Sequence, residues 1–275
     1  MSESCNNDCA SCGENCGERT MPQDLLAPLN QNSNVGKVIA VMSGKGGVGK
    51  SMVTSLLASA AKRAGKKVAV MDADITGPSI PQGFGLTEHL TGSETELYPA
   101  DTRTGIKVVS MNLMLQETTD PVIWRGPILA GVVKQFWTDV LWGDIDVMFV
   151  DMPPGTGDVP LTVLQSLPVD GIVVVTSPQE MVGMIVEKAV KMAKMMEIPV
   201  FALVENMSYF KCPDCGKNHD IFGKSHAKDV ADKYDIKEVS RLPMDPAYAA
   251  AADAGEIEFL QEEGLKNIVE SIEKL

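Results

Sequence analysis

The sequence predicts an α/β fold in which helices cover both faces of a doubly wound, mostly parallel sheet. Two observations favour this fold. From Lys37 onward, short apolar runs alternate with segments of helical composition, which is the pattern of successive strand–helix units. The runs are apolar at consecutive positions, as expected for parallel strands that are buried on both faces. The predicted domain therefore spans residues 37–275.

The individual elements follow from these runs in chain order. A helix is expected over residues 51–64, because Gly65 follows it where helices commonly end. A helix over residues 178–197 is predicted to open on a capping box, Ser177 to Glu180, with proline at its first position. Its methionine stripe is interpreted as core packing, with a pliable docking surface as the alternative. The predicted strands cover residues 38–42, 68–71, 106–110, 147–150, 172–175 and 200–204.

Two segments precede the predicted domain. Residues 1–16 are polar and rich in cysteine, and without a bound metal they are expected to be disordered. Residues 17–36 are predicted to form a linker, because prolines and asparagines interrupt any regular element. Within this linker, Leu25, Leu26 and Leu29 are candidates for packing on the domain.

Composition excludes several classes of partner. The chain has 275 residues, a net charge of −13 and a pI near 4.7, so neither nucleic acid nor an anionic membrane surface is expected to bind it. No apolar run approaches the roughly 18 residues of a membrane span. The first residues contain neither the basic nor the apolar region of a secretion signal. A cytoplasmic protein is therefore expected.

A glycine-rich loop over residues 44–51 fits the pattern G-x-x-x-x-G-K-[ST] and lies between a predicted strand and a predicted helix. Such loops direct backbone N–H groups at phosphate oxygens, and the helix N-terminus adds positive charge. Lys50 is expected to contact the phosphates of ATP, and the Ser51 hydroxyl to bind Mg²⁺. A chance glycine turn is the alternative. The predicted nucleotide-binding residues are Gly44, Lys45, Gly46, Gly47, Val48, Gly49, Lys50, Ser51 and Met52.

Three aspartates follow predicted strands. Asp72 and Asp74 come after the second strand, and Asp151 ends the run at 147–150. In open parallel sheets, ligands bind at the carboxyl ends of the strands, so these carboxylates are candidates for the Mg²⁺ site. The Pro/Gly-rich stretch at 152–158 is suited to switching with the γ-phosphate. For each aspartate alone, a helix cap or a solvated loop is the alternative.

The second lysine of the loop, Lys45, gives the chain a resemblance to the deviant-Walker class of P-loop ATPases, which includes MinD, ParA and the nitrogenase iron protein. The resemblance implies a nucleotide-linked homodimer in which Lys45 reaches the partner's nucleotide. It also implies catalytic roles for Lys45, Lys50 and Asp74, with Asp74 orienting the attacking water. Asp72 would then belong to the Mg²⁺ and switch region.

Within that class the chain resembles the Mrp/ApbC family of iron–sulfur cluster carriers. The resemblance implies slow ATP hydrolysis, coupled to assembly of a [4Fe–4S] cluster at a dimer interface and to its transfer to apo-proteins. It further implies a cluster-assembly scaffold as partner and contact of Asn206 with adenine. The matching segments cover residues 44–51, 72–79, 124–127, 151–158, 205–208 and 212–215.

Cys212 and Cys215 form one C-x-x-C pair, which supplies half of a four-thiolate site. A two-fold axis would complete it with the partner's pair, and the resemblance implies that arrangement. Two alternatives stay open. The pair also resembles half of a zinc knuckle, to which His219 could add a ligand, and it could be a redox dithiol.

Four further cysteines lie at the N-terminus with C-x₃-C-x₂-C-x₃-C spacing. This tight spacing is closer to ferredoxin-like runs than to zinc sites built from separated pairs. Many bacterial members of the family have no such segment, and the eukaryotic relatives space their four cysteines more widely. A stable second cluster, a transient acceptor and a zinc clip are all open for Cys5, Cys9, Cys12 and Cys16.

Two competing functions come from the same class of ATPases. A positioning ATPase of the MinD or ParA kind would need a lipid-binding helix or a basic surface. The amphipathic segment 265–275 balances Lys against Glu, so packing on the domain is expected instead. An ATP-gated electron donor like the nitrogenase iron protein would bridge its cluster with well-separated single cysteines, a pattern that this sequence does not contain.

Overall fold

The computed structural model describes residues 25–75, 77–93, 95–115, 126–179 and 184–275. Within them the chain forms a nine-stranded sheet with helices on both faces. The strands are β1 (Asn34–Ser43), β2 (Val68–Asp72), β3 (Ala100–Asp101), β4 (Lys107–Val109), β5 (Asp144–Asp151), β6 (Gly171–Thr176), β7 (Val200–Lys211), β8 (Asn218–His219) and β9 (Glu238–Pro243). The α-helices are α1 (Lys50–Arg63), α2 (Ile80–Phe84), α3 (Gly126–Thr138), α4 (Asp158–Ser166), α5 (Met184–Met195), α6 (Ala227–Tyr234), α7 (Pro246–Asp253) and α8 (Lys266–Ile272).

The strand order is β3-β4-β2-β5-β1-β6-β7-β8, and β9 pairs with β7. All pairs in the centre of the sheet are parallel, and among the described strands only the short β3 and β8 run antiparallel to their neighbours. This confirms the predicted mostly parallel, doubly wound fold. The register aligns Asp151 with Val41 on one side and with Asp72 on the other. The carboxyl ends of β1, β2 and β5 therefore meet at one edge.

Hydrophobic residues fill both faces of the sheet. On one face α1 and α8 cover the strands with Leu56, Leu57 and Ile268, which are almost completely buried. On the other face the fully buried Trp142 packs with residues of α3 and α5 and donates its indole N–H to the Phe136 carbonyl at 3.0 Å. Strands covered in this way are apolar at consecutive positions, which is why all six predicted runs were found as strands.

The helices agree with the sequence prediction except at one end. Helix α1 ends at Arg63, and Gly65 follows with a φ of +85°. In contrast, the predicted start at Pro178 is wrong, because Pro178 and Gln179 form a turn and α5 is described from Met184. Of the predicted stripe, Ala189 and Met192 are buried in the core, as expected from core packing, whereas Lys188 is exposed and Met196 is half-buried. A local capping pattern contributes only about 1 kcal/mol, too little to fix a helix start against the path of the chain after β6.

The described part of the predicted linker packs against the domain. The Ala27 N–H donates to the Ser166 carbonyl at 2.8 Å, and the Trp137 indole donates to the Ala27 carbonyl at 3.1 Å. Leu29 packs partly against the core, whereas Leu25 and Leu26 are about half exposed. Residues 34–36 belong to β1. The four N-terminal cysteines and residues 124–125 lie outside the described residues.

The C-terminal helix α8 packs on the sheet as predicted, because its apolar residues Ile268, Val269 and Ile272 are buried. Its apolar face is therefore already used within the domain. Among the described residues, no helix has both the length and the apolar character needed to cross a membrane.

Candidate nucleotide and metal sites

The loop between β1 and α1 has the backbone of a phosphate-binding loop. Gly47 and Gly49 have φ values of +83° and +81°, which favour glycine. At Gly49 a Cβ would also lie 2.3 Å from the Asn206 Nδ2 atom, so the Asn206 side chain would have to shift. Helix α1 begins directly after this residue. Its N-terminal N–H groups are therefore available at the carboxyl edge of the sheet, where anions bind.

Lys50 lies buried among carboxylates at this edge. Its ammonium nitrogen is 2.8 Å from the Asp151 Oδ2 atom and 3.5 Å from the Asp74 Oδ2 atom. Asp151 is fully buried and also accepts hydrogen bonds from the hydroxyls of Ser51 at 2.5 Å and Thr54 at 2.8 Å. The structure thus brings together four residues that the sequence singled out. Thr54 was missed, although it lies one helical turn after Lys50 and faces the same carboxylate.

Asp72 is the second fully buried carboxylate of the site. It accepts hydrogen bonds from the Ser110 hydroxyl at 2.9 Å and from the Asp74 N–H at 3.2 Å. Burial and, second, the nearby charge of Asp151 raise the pKa of Asp72 to about 8. The buried carboxylates of this cluster thus outnumber Lys50. An oxygen-rich site with excess negative charge fits Mg²⁺, which prefers carboxylate and hydroxyl oxygens.

Lys45 is exposed on the outer side of the loop, and its carbonyl accepts a hydrogen bond from the Ser43 hydroxyl at 2.9 Å. In this respect it differs from Lys50, whose side chain is buried. The exposed position places Lys45 at the surface, where a second protomer could be reached. Its role at a dimer interface stays a prediction.

Asn206 joins β7 to the phosphate loop. Its side chain is buried and donates from Nδ2 to the Val48 carbonyl at 2.8 Å. The next residue, Met207, has a φ of +54°, and the pairing of β7 with β9 shifts between Glu205 and Tyr209. Asn206 therefore supports the loop directly, while its predicted contact with adenine stays a prediction.

The cysteine pair lies at the turn of the hairpin formed by β7 and β8. Within this turn the Cys212 N–H donates to the Lys217 carbonyl, and the Gly216 N–H donates to the Cys212 carbonyl, both at 2.9 Å. The donor atoms of Cys212, Cys215 and His219 all lie within 4.8 Å of one another. Backbone N–H groups of Cys215 and then of Asp214 lower the pKa of the Cys212 thiol. The turn is therefore arranged to present thiolate sulfur to a metal.

An ionic network that extends from the buried Glu205 to the surface, which sequence reasoning missed, lies beside the hairpin. Glu205 is fully buried; its Oε2 atom accepts from the Ser208 hydroxyl and lies 3.4 Å from the Arg241 Nε atom. Arg241 also donates to the Ser208 hydroxyl at 2.7 Å and lies 3.7 Å from an Asp220 oxygen. The Glu205 Oε1 atom is buried and has no hydrogen-bond partner among the described residues. The signal in the sequence was a glutamate at the end of an otherwise apolar strand.

Cavities mark these sites only weakly, since one of about 160 Å³ includes Ser51 and Met52 in its lining. A cavity of about 450 Å³ is lined by residues 84–91, 98–101 and 103, none of which belongs to the nucleotide or cysteine sites. A phosphate loop binds its anion by wrapping backbone around it, so an enclosed cavity is not required there. The chemistry of the side chains is the better guide in this molecule.

Comparisons with known proteins identify the family of this chain. The family profile described as ParA, NUBPL iron-transfer P-loop NTPase, matches residues 34–275. A protein of Methanococcus maripaludis named iron-sulfur cluster carrier protein is 42% identical over 261 residues, covering 93% of this chain and 90% of that protein. A protein of Clostridium perfringens with the same name is 40% identical over 277 residues, covering 95% and 97%.

Solved structures show the same fold. A nucleotide-binding protein from Archaeoglobus fulgidus, described as a complex with ADP and with cobalt found, is 42% identical, with a TM-score of 0.77 and coverage of 84% of this chain and 91% of that chain. The cell division ATPase MinD of Pyrococcus furiosus is 19% identical with a TM-score of 0.61, covering 87% and 98%, and so shares the fold. The chain therefore belongs to the NUBPL iron-transfer P-loop NTPases of the ParA family.

Proposed function

We propose that this protein is an ATP-dependent carrier that assembles a [4Fe–4S] cluster on Cys212 and Cys215 of two protomers and transfers it to apo-proteins. The observation that carries the proposal is the thiol pair, half-buried Cys212 and exposed Cys215, at the turn that continues β7, the strand whose Asn206 supports the phosphate loop. The proteins of M. maripaludis and C. perfringens, which carry the name of this function, support it.

The nucleotide part of the proposal assigns roles to the buried cluster. Lys50 would leave Asp151 to contact the β- and γ-phosphates, and Ser51, Asp72 and Asp151 would hold Mg²⁺. Bound Mg²⁺ supplies positive charge that offsets the charge developing on the phosphate oxygens. Asp74, whose carboxylate lies 3.5 Å from the Lys50 ammonium, would orient the attacking water. The ADP complex of the A. fulgidus relative supports nucleotide binding at this loop.

The dimer follows from the number of ligands. One protomer offers two thiolates, whereas a [4Fe–4S] cluster of this kind takes four. A two-fold axis through the cluster would let the same surface of each protomer supply one pair. The exposed Lys45 would reach the partner's nucleotide, so that ATP binding and cluster binding involve the same interface. The apo-protein clients, the scaffold partner and the cytoplasmic location of this protein stay predictions.

The competing functions receive less support. A membrane-positioning ATPase needs an amphipathic helix with an accessible apolar face, but the apolar residues of α8 are buried against the sheet. For zinc, the structure does offer an argument, since His219 lies beside the two cysteines. Metal analysis after reconstitution with iron and sulfide therefore tests whether the cysteine pair takes a cluster.

The test uses anaerobic purification, reconstitution with iron and sulfide, and a variant from which the N-terminal thiols are removed. This four-serine variant carries Cys5→Ser, Cys9→Ser, Cys12→Ser and Cys16→Ser. We expect about two iron and two sulfide per chain in a dimer, lost when Cys212→Ala and Cys215→Ala are added. The absence of iron and sulfide after reconstitution, or zinc alone at the site, would contradict the proposal.

A second measurement tests the ATPase. Lys50→Ala should abolish ATP turnover, because the phosphates lose the buried lysine that lies beside Asp151. Lys62→Ala is the control, since Lys62 lies on the same helix but contacts the Gly105 carbonyl. Unchanged hydrolysis in Lys50→Ala would remove the phosphate loop from the mechanism.

A further inference from the structure

His219 gives the cysteine turn a third donor within one protomer. It lies on β8, opposite Phe210 of β7, and the hairpin folds it back toward the turn. Its ring nitrogen lies within 4.8 Å of both sulfur atoms. A cluster that is bridged by two cysteine pairs has no use for this imidazole, because its four iron atoms each take a thiolate. The position of His219 therefore indicates that the turn also binds a metal species other than the cluster.

We propose that a single protomer binds one divalent cation of the zinc or ferrous class through Cys212, Cys215 and His219. Two sulfurs and one imidazole nitrogen, with a fourth position left open, suit such cations, which accept tetrahedral coordination. Binding forms two metal–sulfur bonds and one metal–nitrogen bond, and it releases thiol protons to the solvent without any change of oxidation state. The monomer would thus hold a metal ion before a partner is present.

The backbone of the turn supports this proposal independently of the side chains. The two hydrogen bonds at 2.9 Å between Cys212, Gly216 and Lys217 close the turn, and the φ of +68° at Gly216 lets it reverse tightly. The donors are therefore held near one another before any metal arrives, which reduces the ordering cost of binding. Since the same two thiolates also serve the dimer, the mononuclear ion and the bridging cluster exclude each other.

The experiment titrates Zn²⁺ into the reduced four-serine variant and follows heat release and oligomeric state. We expect one ion per chain on a monomer, and His219→Ala should weaken binding by at least about tenfold. His219→Cys restores a third donor and should recover most of the affinity. His226→Ala is the control, because His226 is exposed and contacts Asp229 outside the group. Co²⁺ provides a second readout, since its visible spectrum reports sulfur ligands and tetrahedral geometry.

One ion per two chains on a dimer, or equal affinity in wild type and His219→Ala, would overturn the inference. The cluster measurement keeps this result separate from the proposed function. His219→Ala should still assemble iron and sulfide to the wild-type level, because only the cysteines bind the cluster. If neither wild type nor His219→Ala assembled a cluster, the result would count against the carrier function. The zinc titration would still test the mononuclear site.

A different observation carries a second inference, which rests on the proposed function. Arg241 of β9 contacts two residues, one beside the nucleotide loop and one beside the cysteine turn. On one side it contacts the buried Glu205, next to Asn206, whose amide holds the Val48 carbonyl. On the other side it pairs with Asp220, next to His219 of the hairpin. Its guanidinium also lies 5.7 Å from the centre of the Tyr209 ring.

We infer that Arg241 is a positioning residue that transmits the nucleotide state to the cysteine hairpin. A movement of the Val48 loop would shift Asn206 and its neighbour Glu205. Because the Glu205 carboxylate is buried, replacing its contact with Arg241 by water is costly, so Arg241 would move with it. The planar guanidinium holds Ser208 and Asp220 at the same time, which a lysine ammonium cannot imitate. The Oε1 atom of Glu205 has no hydrogen-bond partner in the described part of the chain, so Ser208 and Arg241 hold this carboxylate through its Oε2 atom.

The test measures alkylation of Cys212 and Cys215 in the metal-free four-serine variant, with and without Mg·ATP. We expect ATP to change the rate at least about threefold, and Arg241→Met to bring the ratio close to one. Affinity for ATP should change little, since the contacts of Arg241 described above lie outside the phosphate loop. Arg241→Lys should restore only part of the response. Lys237→Met, which removes an exposed lysine just before β9 that pairs with Asp235, should behave as wild type.

An ATP response that persists in Arg241→Met would overturn this inference alone. A wild-type hairpin whose alkylation is the same with and without ATP would overturn it together with the coupling of ATP to the cargo site. The iron and sulfide content of the reconstituted protein would then show whether the carrier function still stands.

Discussion

The buried Asp72 allows one prediction to be worked out in magnitude. Asp72→Asn removes a carboxyl whose pKa is raised from 3.8 to about 8 by burial and by the charge of Asp151. The replacement has nearly the same shape, and the Ser110 hydroxyl, which now donates to Oδ2 at 2.9 Å, can turn to accept from the new amide. The variant therefore tests the charge more than the packing.

The sign follows from proton binding. Between the two pKa values the folded protein keeps a proton on Asp72 that the unfolded chain has lost, so stability falls as the pH rises through this range. Each pH unit removes about 1.4 kcal/mol, which gives up to about 4 kcal/mol between about pH 5 and about pH 8. Since the asparagine side chain does not titrate, Asp72→Asn should be more stable than wild type at the higher pH. This gain should nearly vanish at about pH 4.

Urea unfolding of the nucleotide-free protein at about pH 5 and about pH 8 measures the effect. Asp144→Asn is the control, because Asp144 lies on the same strand as Asp151 but its side chain is 72% exposed, and its replacement should change stability by less than about 0.5 kcal/mol. Asp72→Asn should also bind Mg·ATP more weakly than wild type. An equal gain at both pH values, or a loss at the higher one, would refute the reasoning.

Three further predictions concern stability and binding. Gly255→Ala should lower the free energy of unfolding by at least about 2 kcal/mol more than Gly143→Ala. Both residues have a φ of +68°, but of the two only Gly255 has backbone in the way of a Cβ, at 2.4 Å from Gly85. Equal losses of stability in chemical unfolding would exclude the clash. Trp142→Ala should destabilise the protein by about 3–5 kcal/mol, and thermal unfolding with no shift would contradict its role in the core. Asn206→Ala should weaken ATP binding about tenfold through the loss of its support of the loop, and unchanged affinity in nucleotide titrations would argue against this support.

Periodicity and loop chemistry predicted most of the fold. The central strands were found because each is apolar on both faces, and the phosphate loop because its spacing has a chemical reason. Strand β9 was missed because Glu238 and Arg241 interrupt its apolar residues, as is common at an edge where one side of a strand meets solvent. The start of α5 was misplaced because a local cap at Ser177 was given more weight than tertiary structure allows.

Site residues were predicted where one side chain has one recognisable task. Lys50, Ser51 and Asp151 meet in space because the loop and the strand end at the same edge of the sheet. Thr54 and Arg241 could not be identified in the same way, since their roles depend on which residues lie opposite them in the folded chain. Such contacts follow from register, and a single sequence does not contain the register of distant strands.

The stretch between Asn206 and Cys212, which contains the left-handed Met207, limits which changes of sequence length the chain can tolerate. Because side chains alternate along a strand, the number of residues between Asn206 and Cys212 decides which way the thiols point. A substitution in that stretch would alter one contact, whereas an insertion or deletion of a single residue would turn the cysteines toward the opposite side. Surface loops commonly accept such length changes. Here we expect the length to be fixed while the residue types vary.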